Sequence, residues 1–311
     1  MTPERILFIS SNRIGDAVIT CGVLDQLIRT HPGCRVTVVC GPAAEGVFAR
    51  MPNRERTILV VKHRNDSHWL RLWRAVAFTW WDLVVDIRGS AIAYLVPARK
   101  RVVRRPRPGR MFEQHAAMLG MAPAPLPVVW TAAEDRARAA ELLPAGRPVI
   151  GLGATANWAP KVWAADRFAA LFHALEAGKL HGAVPAVFAG PGEAERQMAT
   201  PLLDALPGAI DLCGTLTLPE AAACIQRCAI YVGNDSGLMH LAAASGAATI
   251  GLCGTTIDRA DEMAPAGPHA AWVRSDQASM DSLLVPDVYA ACVRMLEAAP
   301  AATLAAEGRV P

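Results

Sequence analysis

Short apolar runs alternate with longer, helix-spaced ones along most of the chain. In the first half, Ile6–Ser10, Arg35–Cys40, Thr57–Val61, Leu83–Ile87 and Arg101–Val103 predict strands. Between the first two, Val18, Cys21, Leu24, Leu27 and Ile28 recur at helical spacing and predict a helix over 17–29. The second half offers strands at Pro148–Leu152, Ala186–Ala189, Ile210–Leu212, Ile230–Val232 and Ala248–Cys253. Helical patterns such as Ala164–Ala177 and Pro219–Arg227 lie between them. Strands alternating with helices of about 10–15 residues imply βαβ units and parallel sheets, an α/β fold.

The pattern breaks once. Met121-Ala-Pro-Ala-Pro-Leu-Pro127 cannot hold a helix, because its prolines lack N–H donors and fix φ. A hinge over 123–147 follows, dividing the chain into 1–135 and 136–311, with a C-terminal helix that has the option of packing back on the first part. Two Rossmann-like, doubly wound domains facing across a cleft would bind ligands at the carboxyl ends of their strands. A different periodicity marks Trp69, Leu72, Trp73, Val76 and Trp80, which share one helical face. That face either packs on the sheet or lies on a membrane interface.

Composition narrows the class. Of 311 residues 52% are hydrophobic and 19% charged, enough to build cores and too apolar for disorder. Eight cysteines without a C-x-x-C pair read as reduced, buried thiols of a cytosolic protein. The start, Met1–Arg5, leads directly into a strand and lacks the pattern of a signal peptide. The uncharged stretch 236–257 breaks at Ser245-Gly246 into a helix and a strand, which argues against a membrane span.

The net charge of +3 conceals a polarity. Residues 1–130 carry 19 Lys/Arg against 9 Asp/Glu, whereas 131–311 carry 12 against 19. Seven cations and no acid fall within 99–110, including Arg104, Arg105 and Arg107. This run is either a solvated loop or the seat of an anionic partner; without interleaved aromatic residues it does not suit nucleic acid.

Four strand-to-helix turns carry the candidate chemistry, since helix N-termini offer free N–H groups to anions. In Ser11-Asn-Arg13-Ile-Gly-Asp16, the aspartate is an N-cap, a general base, or both. Gly151-Leu-Gly153-Ala-Thr155-Ala156 matches a dinucleotide fingerprint only weakly, because Trp158-Ala-Pro160 delays the helix. Lys161 beyond it is a phosphate ligand or a surface lysine. Gly190-Pro-Gly192-Glu193 either serves backbone geometry or admits a ligand. The turn Gly233-Asn-Asp235-Ser236-Gly237-Leu238-Met-His240 sets consecutive N–H groups at the start of an Ala-rich helix, an anion nest or a purely structural cap. It does not match G-x-S-x-G, so a serine hydrolase is disfavoured. Neither D-x-D nor H-E-x-x-H occurs, and no metal is called for.

Together these motifs resemble glycosyltransferase family 9, the heptosyltransferases of lipopolysaccharide core assembly. The resemblance rests on Ile14-Gly-Asp16-Ala-Val18, Val85-Asp-Ile-Arg88-Gly89, Gly153-Ala-Thr155 with Lys161-Val-Trp163, Gly190-Pro-Gly-Glu193 and Asn234-Asp-Ser-Gly-Leu-Met-His240, in that order. It implies a GT-B fold and inverting, metal-independent transfer from a nucleotide sugar, typically ADP-heptose, with no cofactor. By that resemblance Asp16 is the base, and Lys161 binds donor phosphate beside Thr155. Glu220 meets the donor ribose, and Asp235, Ser236, Gly237, Leu238 and His240 form the pyrophosphate turn. Arg13, Arg88, Arg104, Arg105 and Arg107 are candidates for holding an anionic glycan or glycolipid acceptor. The chain departs from the family pattern at Ala164, where proline is usual, and at Thr155, where serine is usual. A cytoplasmic enzyme, peripheral at the inner membrane, follows. The alternatives are a GT-B-type sugar-nucleotide epimerase, a non-catalytic nucleotide-sugar binding protein and a nucleic-acid binder.

Overall fold

A computed structural model describes residues 4–61, 67–254 and 261–298. The chain divides into two compact units, Met1–Trp130 and Thr131–Pro311.

The first unit contains β1 (Arg5–Ile9), α1 (Ile14–Thr30), β2 (Arg35–Cys40), β3 (Arg54–Leu59), α2 (Ser67–Val76), β4 (Trp81–Asp86), β5 (Ala98–Val103) and α3 (Met111–Met118). Its strands are all parallel in the order β3-β2-β1-β4-β5. The central strands β1, β2 and β4 are nearly fully buried, as apolar runs covered on both faces should be. The edge strands are not. β5 carries Arg99-Lys-Arg101 on the free edge of the sheet, where charge discourages pairing with another chain. The start of the basic run is therefore strand, and β5 begins three residues ahead of the expected Arg101. Arg99 lies near Glu4 and Asp82, and Arg101 donates to the carbonyls of Ala93, Val96 and Ala98.

Two more expectations change in this unit. Helix α1 opens at Ile14 rather than residue 17, with Arg13 as its N-cap, so Asp16 stands inside the first turn and is not the cap. Helix α2 stops at Val76. Its Leu72 and Val76 do pack on the sheet with Trp69 and Trp73, but Trp80 lies beyond the helix and Trp81 is buried at the start of β4. The proline-rich segment is strapped to α1: a Cβ at Gly22 would lie 2.4 Å from the carbonyl oxygen of Leu126. Trp130 also donates from its indole to Asp25 at 3.2 Å.

The second unit begins with α4 (Ala133–Leu142), so the division falls five residues ahead of the expected 135/136 boundary. Next come β6 (Val149–Gly153), α5 (Ala165–Ala177), β7 (Val184–Val187), α6 (Glu193–Ala205), β8 (Ile210–Asp211) and α7 (Leu218–Gln226). The unit ends with β9 (Ile230–Asn234), α8 (Gly237–Ala244), β10 (Thr249–Cys253), β11 (Ala270–Arg274) and α9 (Val285–Ala298). The sheet order is β11-β10-β9-β6-β7-β8, again parallel throughout, and β11 was not foreseen. Among its described residues, α9 packs on α5 within its own unit. No helix of the described residues is long and apolar enough to cross a membrane. The final residues of the uncharged stretch, 255–257, lie outside the described residues.

Both units have the doubly wound order, in which the chain reverses direction across the sheet beside its first strand. These switch points lie between β1 and β4 in the first unit and between β6 and β9 in the second. Open α/β sheets bind ligands at the carboxyl ends of the strands there.

Candidate functional site

At the second switch point β6 ends in Gly153, and the following Ala154, Thr155 and Ala156 are buried. The glycines of the apparent dinucleotide fingerprint have a packing cause. The Tyr231 ring, fully buried, fills the space beside them: a Cβ at Gly153 would stand 2.0 Å from the Tyr231 hydroxyl, and one at Gly233 2.9 Å from it. The tyrosine requires small residues at 153 on the neighbouring β6 and at 233 on its own strand β9.

Beyond Thr155 a single 3-10 turn, Ala159–Lys161, presents Lys161. Its Nζ donates to Asp235 Oδ2 at 2.5 Å, and both groups are partly buried. Such a charge-assisted contact holds the lysine at the mouth of α8. Ser236 is the N-cap of that helix, in extended backbone, and its side chain takes no part in capping. The first N–H groups of α8, from Gly237 onward, have no partner within the helix and carry its positive dipole end. His240, on the same helix and buried, has its Nε2 4.0 Å from Asp235 Oδ1. Lys161, Asp235, Ser236, Gly237 and His240 thus lie together at the N-terminus of α8, and Leu238 adjoins them.

Asn234, quoted in the turn motif without a role of its own, is a brace. Fully buried at the end of β9, it accepts the Trp163 backbone N–H at 3.0 Å, tying the lysine loop to the Asp235 turn. Trp163 is itself locked, its indole donating to Leu283 O at 2.9 Å. An asparagine after an apolar strand looks like an ordinary turn residue, so only the Trp163 partner reveals its role. Glu220 caps its own helix. Its Oε2 accepts both the Thr217 N–H and hydroxyl at 2.8 Å, closing a capping box at the start of α7. That helix follows β8, at the sheet edge two strands from β6. Gly192 adopts φ +108° as the N-cap of α6, which gives its turn a backbone reason.

At the first switch point Asp16 Oδ2 accepts the Ser11 hydroxyl at 3.3 Å. The turn holding them is braced from β4. Asp86, fully buried, accepts the backbone N–H groups of Arg88, Gly89 and Ser90 and the Ser90 hydroxyl. Burial raises its carboxyl pKa above the ordinary value, and these four bonds oppose the rise. The turn so formed aims Arg88 at Asn12 Oδ1, 2.9 Å away, with the guanidinium over the Trp69 ring. Arg88 therefore braces the loop between β1 and α1, just ahead of Asp16. Arg13, Arg105 and Arg107 are exposed, while Arg104 is half-buried at the end of β5.

Beside Arg104 lies an unforeseen residue. His115 on α3 is 2% exposed, and among the described residues neither ring nitrogen has a hydrogen-bond partner. Burial, helped by the Arg104 charge, lowers its pKa to about 4. The unfolded chain binds a proton near 6.5 and the folded chain does not. The contribution of His115 to stability is therefore full above 6.5 and is lost as pH falls toward 4, by about 3 kcal/mol. Chemical unfolding at pH 7 and pH 4.5 should show a smaller pH loss in His115→Leu than in wild type; equal losses would contradict the buried neutral ring.

The family model for glycosyltransferase family 9 (heptosyltransferase) matches residues 90–289. Among solved structures, the family 9 glycosyl transferase from Veillonella parvula is 21% identical, with a TM-score of 0.80 over 95% of this chain and 98% of that one. The ADP-heptose LPS heptosyltransferase II of E. coli is 20% identical, with a TM-score of 0.74 over 94% and 98%. E. coli heptosyltransferase WaaC with ADP is 17% identical, with a TM-score of 0.72 over 94% and 99%. These likenesses establish a GT-B type of fold. No curated protein sequence matches significantly.

Proposed function

The chain belongs to glycosyltransferase family 9 and is a heptosyltransferase-type glycosyltransferase; from that premise we propose that it transfers a heptose or similar sugar from an ADP-sugar to a lipopolysaccharide-core or related glycan hydroxyl. The observation that carries the donor assignment is the Lys161–Asp235 pair at the N-terminus of α8. A lysine and a helix N-terminus supply positive charge where a leaving diphosphate develops negative charge. Thr155 and Ser236 add polar groups to the same region. Glu220 meets the donor ribose through Oε1, while Oε2 keeps the capping box at the start of α7.

The chemistry is a single displacement with inversion, independent of metal. Asp16 takes the proton of the acceptor hydroxyl as that oxygen bonds to the anomeric carbon. The bond from that carbon to the diphosphate oxygen breaks, and its electron pair leaves with ADP. General-base assistance of this kind contributes about 10²–10⁴ in rate. Arg104, Arg105, Arg107 and Arg13 meet the anionic groups of the acceptor, in keeping with the excess of cations over 1–130. The expected place of work is the cytoplasm, at the inner face of a membrane that holds the acceptor.

Calorimetry with ADP, UDP and GDP, with and without EDTA, followed by an ADP-heptose transfer assay, tests this reading. ADP should bind most tightly, EDTA should leave both affinity and turnover unchanged, and the sugar should appear on the acceptor. Preference for UDP would overturn the donor assignment, and loss of turnover in EDTA would overturn the metal-free mechanism.

A further inference from the structure

Some large apolar side chains of the first unit are left in solvent as a group. Phe78, Trp80, Tyr94 and Leu95 are 86%, 60%, 63% and 59% exposed. They come from two segments, one between α2 and β4, the other just before β5. Trp73 joins the segments: its indole donates to Leu95 O at 2.9 Å, and its ring centroid is 6.1 Å from that of Phe78. Phe78, Tyr94 and Leu95 thus gather around Trp73, with Trp80 two residues beyond Phe78 in the chain.

The border of this group is basic. Arg56 reaches Ala75 O at the end of α2 at 2.8 Å, and Arg101 lies across the carbonyls of Ala93, Val96 and Ala98, directly beside Tyr94 and Leu95. Arg74 on α2 is exposed. A second copy of the chain would bring this border against itself, like charge on like charge. A bilayer rich in anionic lipid answers both parts: tryptophan and tyrosine rings settle at headgroup depth, and guanidinium groups meet the phosphates.

We propose that the surface formed by Phe78, Trp80, Tyr94 and Leu95, with Arg56, Arg74 and Arg101 around it, seats the protein on an anionic lipid bilayer. The helical face of Trp69 and Trp73 is not the membrane contact, because it faces the sheet. The purpose of the contact, bringing the protein to a lipid-borne acceptor, rests on the reading under Proposed function; the contact itself does not.

The test uses the full chain in co-sedimentation with phosphatidylethanolamine–phosphatidylglycerol vesicles and with phosphatidylcholine vesicles. Wild type should bind the anionic vesicles more tightly and release them as salt rises. The Phe78→Ser/Trp80→Ser variant should bind at least about tenfold more weakly with an unchanged melting temperature. Leu284→Ser, which removes an exposed leucine of the second unit, should bind like wild type. Failure of wild type to bind, or equal binding by the double variant, overturns the proposal. So does a wild-type dimer in solution that the double variant dissociates, since the surface would then belong to a second copy. Transfer to a delipidated, soluble acceptor should be the same in wild type and double variant. If wild type makes no product at all, the transferase reading falls while vesicle binding still judges the surface.

Discussion

Asp16→Asn should lower the single-turnover transfer rate by about 10²–10⁴-fold while ADP affinity changes by no more than about twofold. Asparagine keeps the size of the side chain and an oxygen able to accept the Ser11 hydroxyl, so the turn survives. What disappears is the capacity to take a proton from the acceptor. Asp16 also lies in the first turn of α1, where a carboxylate favours the helix dipole by about 0.3–1 kcal/mol. A variant with normal turnover and only that small loss of stability would reduce Asp16 to a helix-start residue. Ser11→Ala, which leaves the carboxylate in place, should cost far less rate than Asp16→Asn.

Lys161→Met is expected to act on the donor side. Loss of a hydrogen bond to a charged group costs about 1.5–3 kcal/mol, so ADP should bind roughly 10–150-fold more weakly. The transfer step should fall further, by about 10²–10³, because the charge that grows on the diphosphate loses its fixed cation. Asp235, which faces Lys161 in the structure, is partly exposed and stays hydrated without it. Lys161→Arg restores charge but not shape and should recover affinity better than rate. Calorimetry with ADP together with single-turnover kinetics separates the two effects. Unchanged ADP affinity in Lys161→Met would remove the lysine from the phosphate site.

Much of this arrangement was legible because buried parallel strands are written as apolar runs. β1, β2, β4, β6 and β10 stand where those runs predicted, within a few residues. The edge strands were displaced in the reading for the opposite reason. β3 and β5 read Arg-Glu-Arg-Thr-Ile-Leu and Ala-Arg-Lys-Arg-Val-Val, and solvent on one edge lets charges enter a strand and hide its start. Helical periodicity misled at Trp80, since apolar spacing continues past Val76 after the backbone has left the helix.

The candidate site divides in the same way. Lys161 and Asp235 are far apart in sequence, yet each sits in a recognisable turn, and the sheet order brings the two turns together. The bracing by Asn234 and the neutral state of His115 left no such trace. The role of Asn234 depends on a backbone N–H of Trp163, and the state of His115 depends on burial and on Arg104, a residue on another element. Neither partner is encoded nearby.

The ring of Tyr231, standing against Gly153 and Gly233, carries a lesson for evolutionary comparison. Positions 153, 231 and 233 form one volume, so substitutions there should travel in company across lineages. Relatives with a smaller residue at 231 are expected to tolerate alanine or serine at 153 and 233, and ones that keep the tyrosine are not. A glycine pattern that resembles a nucleotide fingerprint would then come and go with an aromatic ring, and its presence in a lineage would record core volume rather than ligand choice.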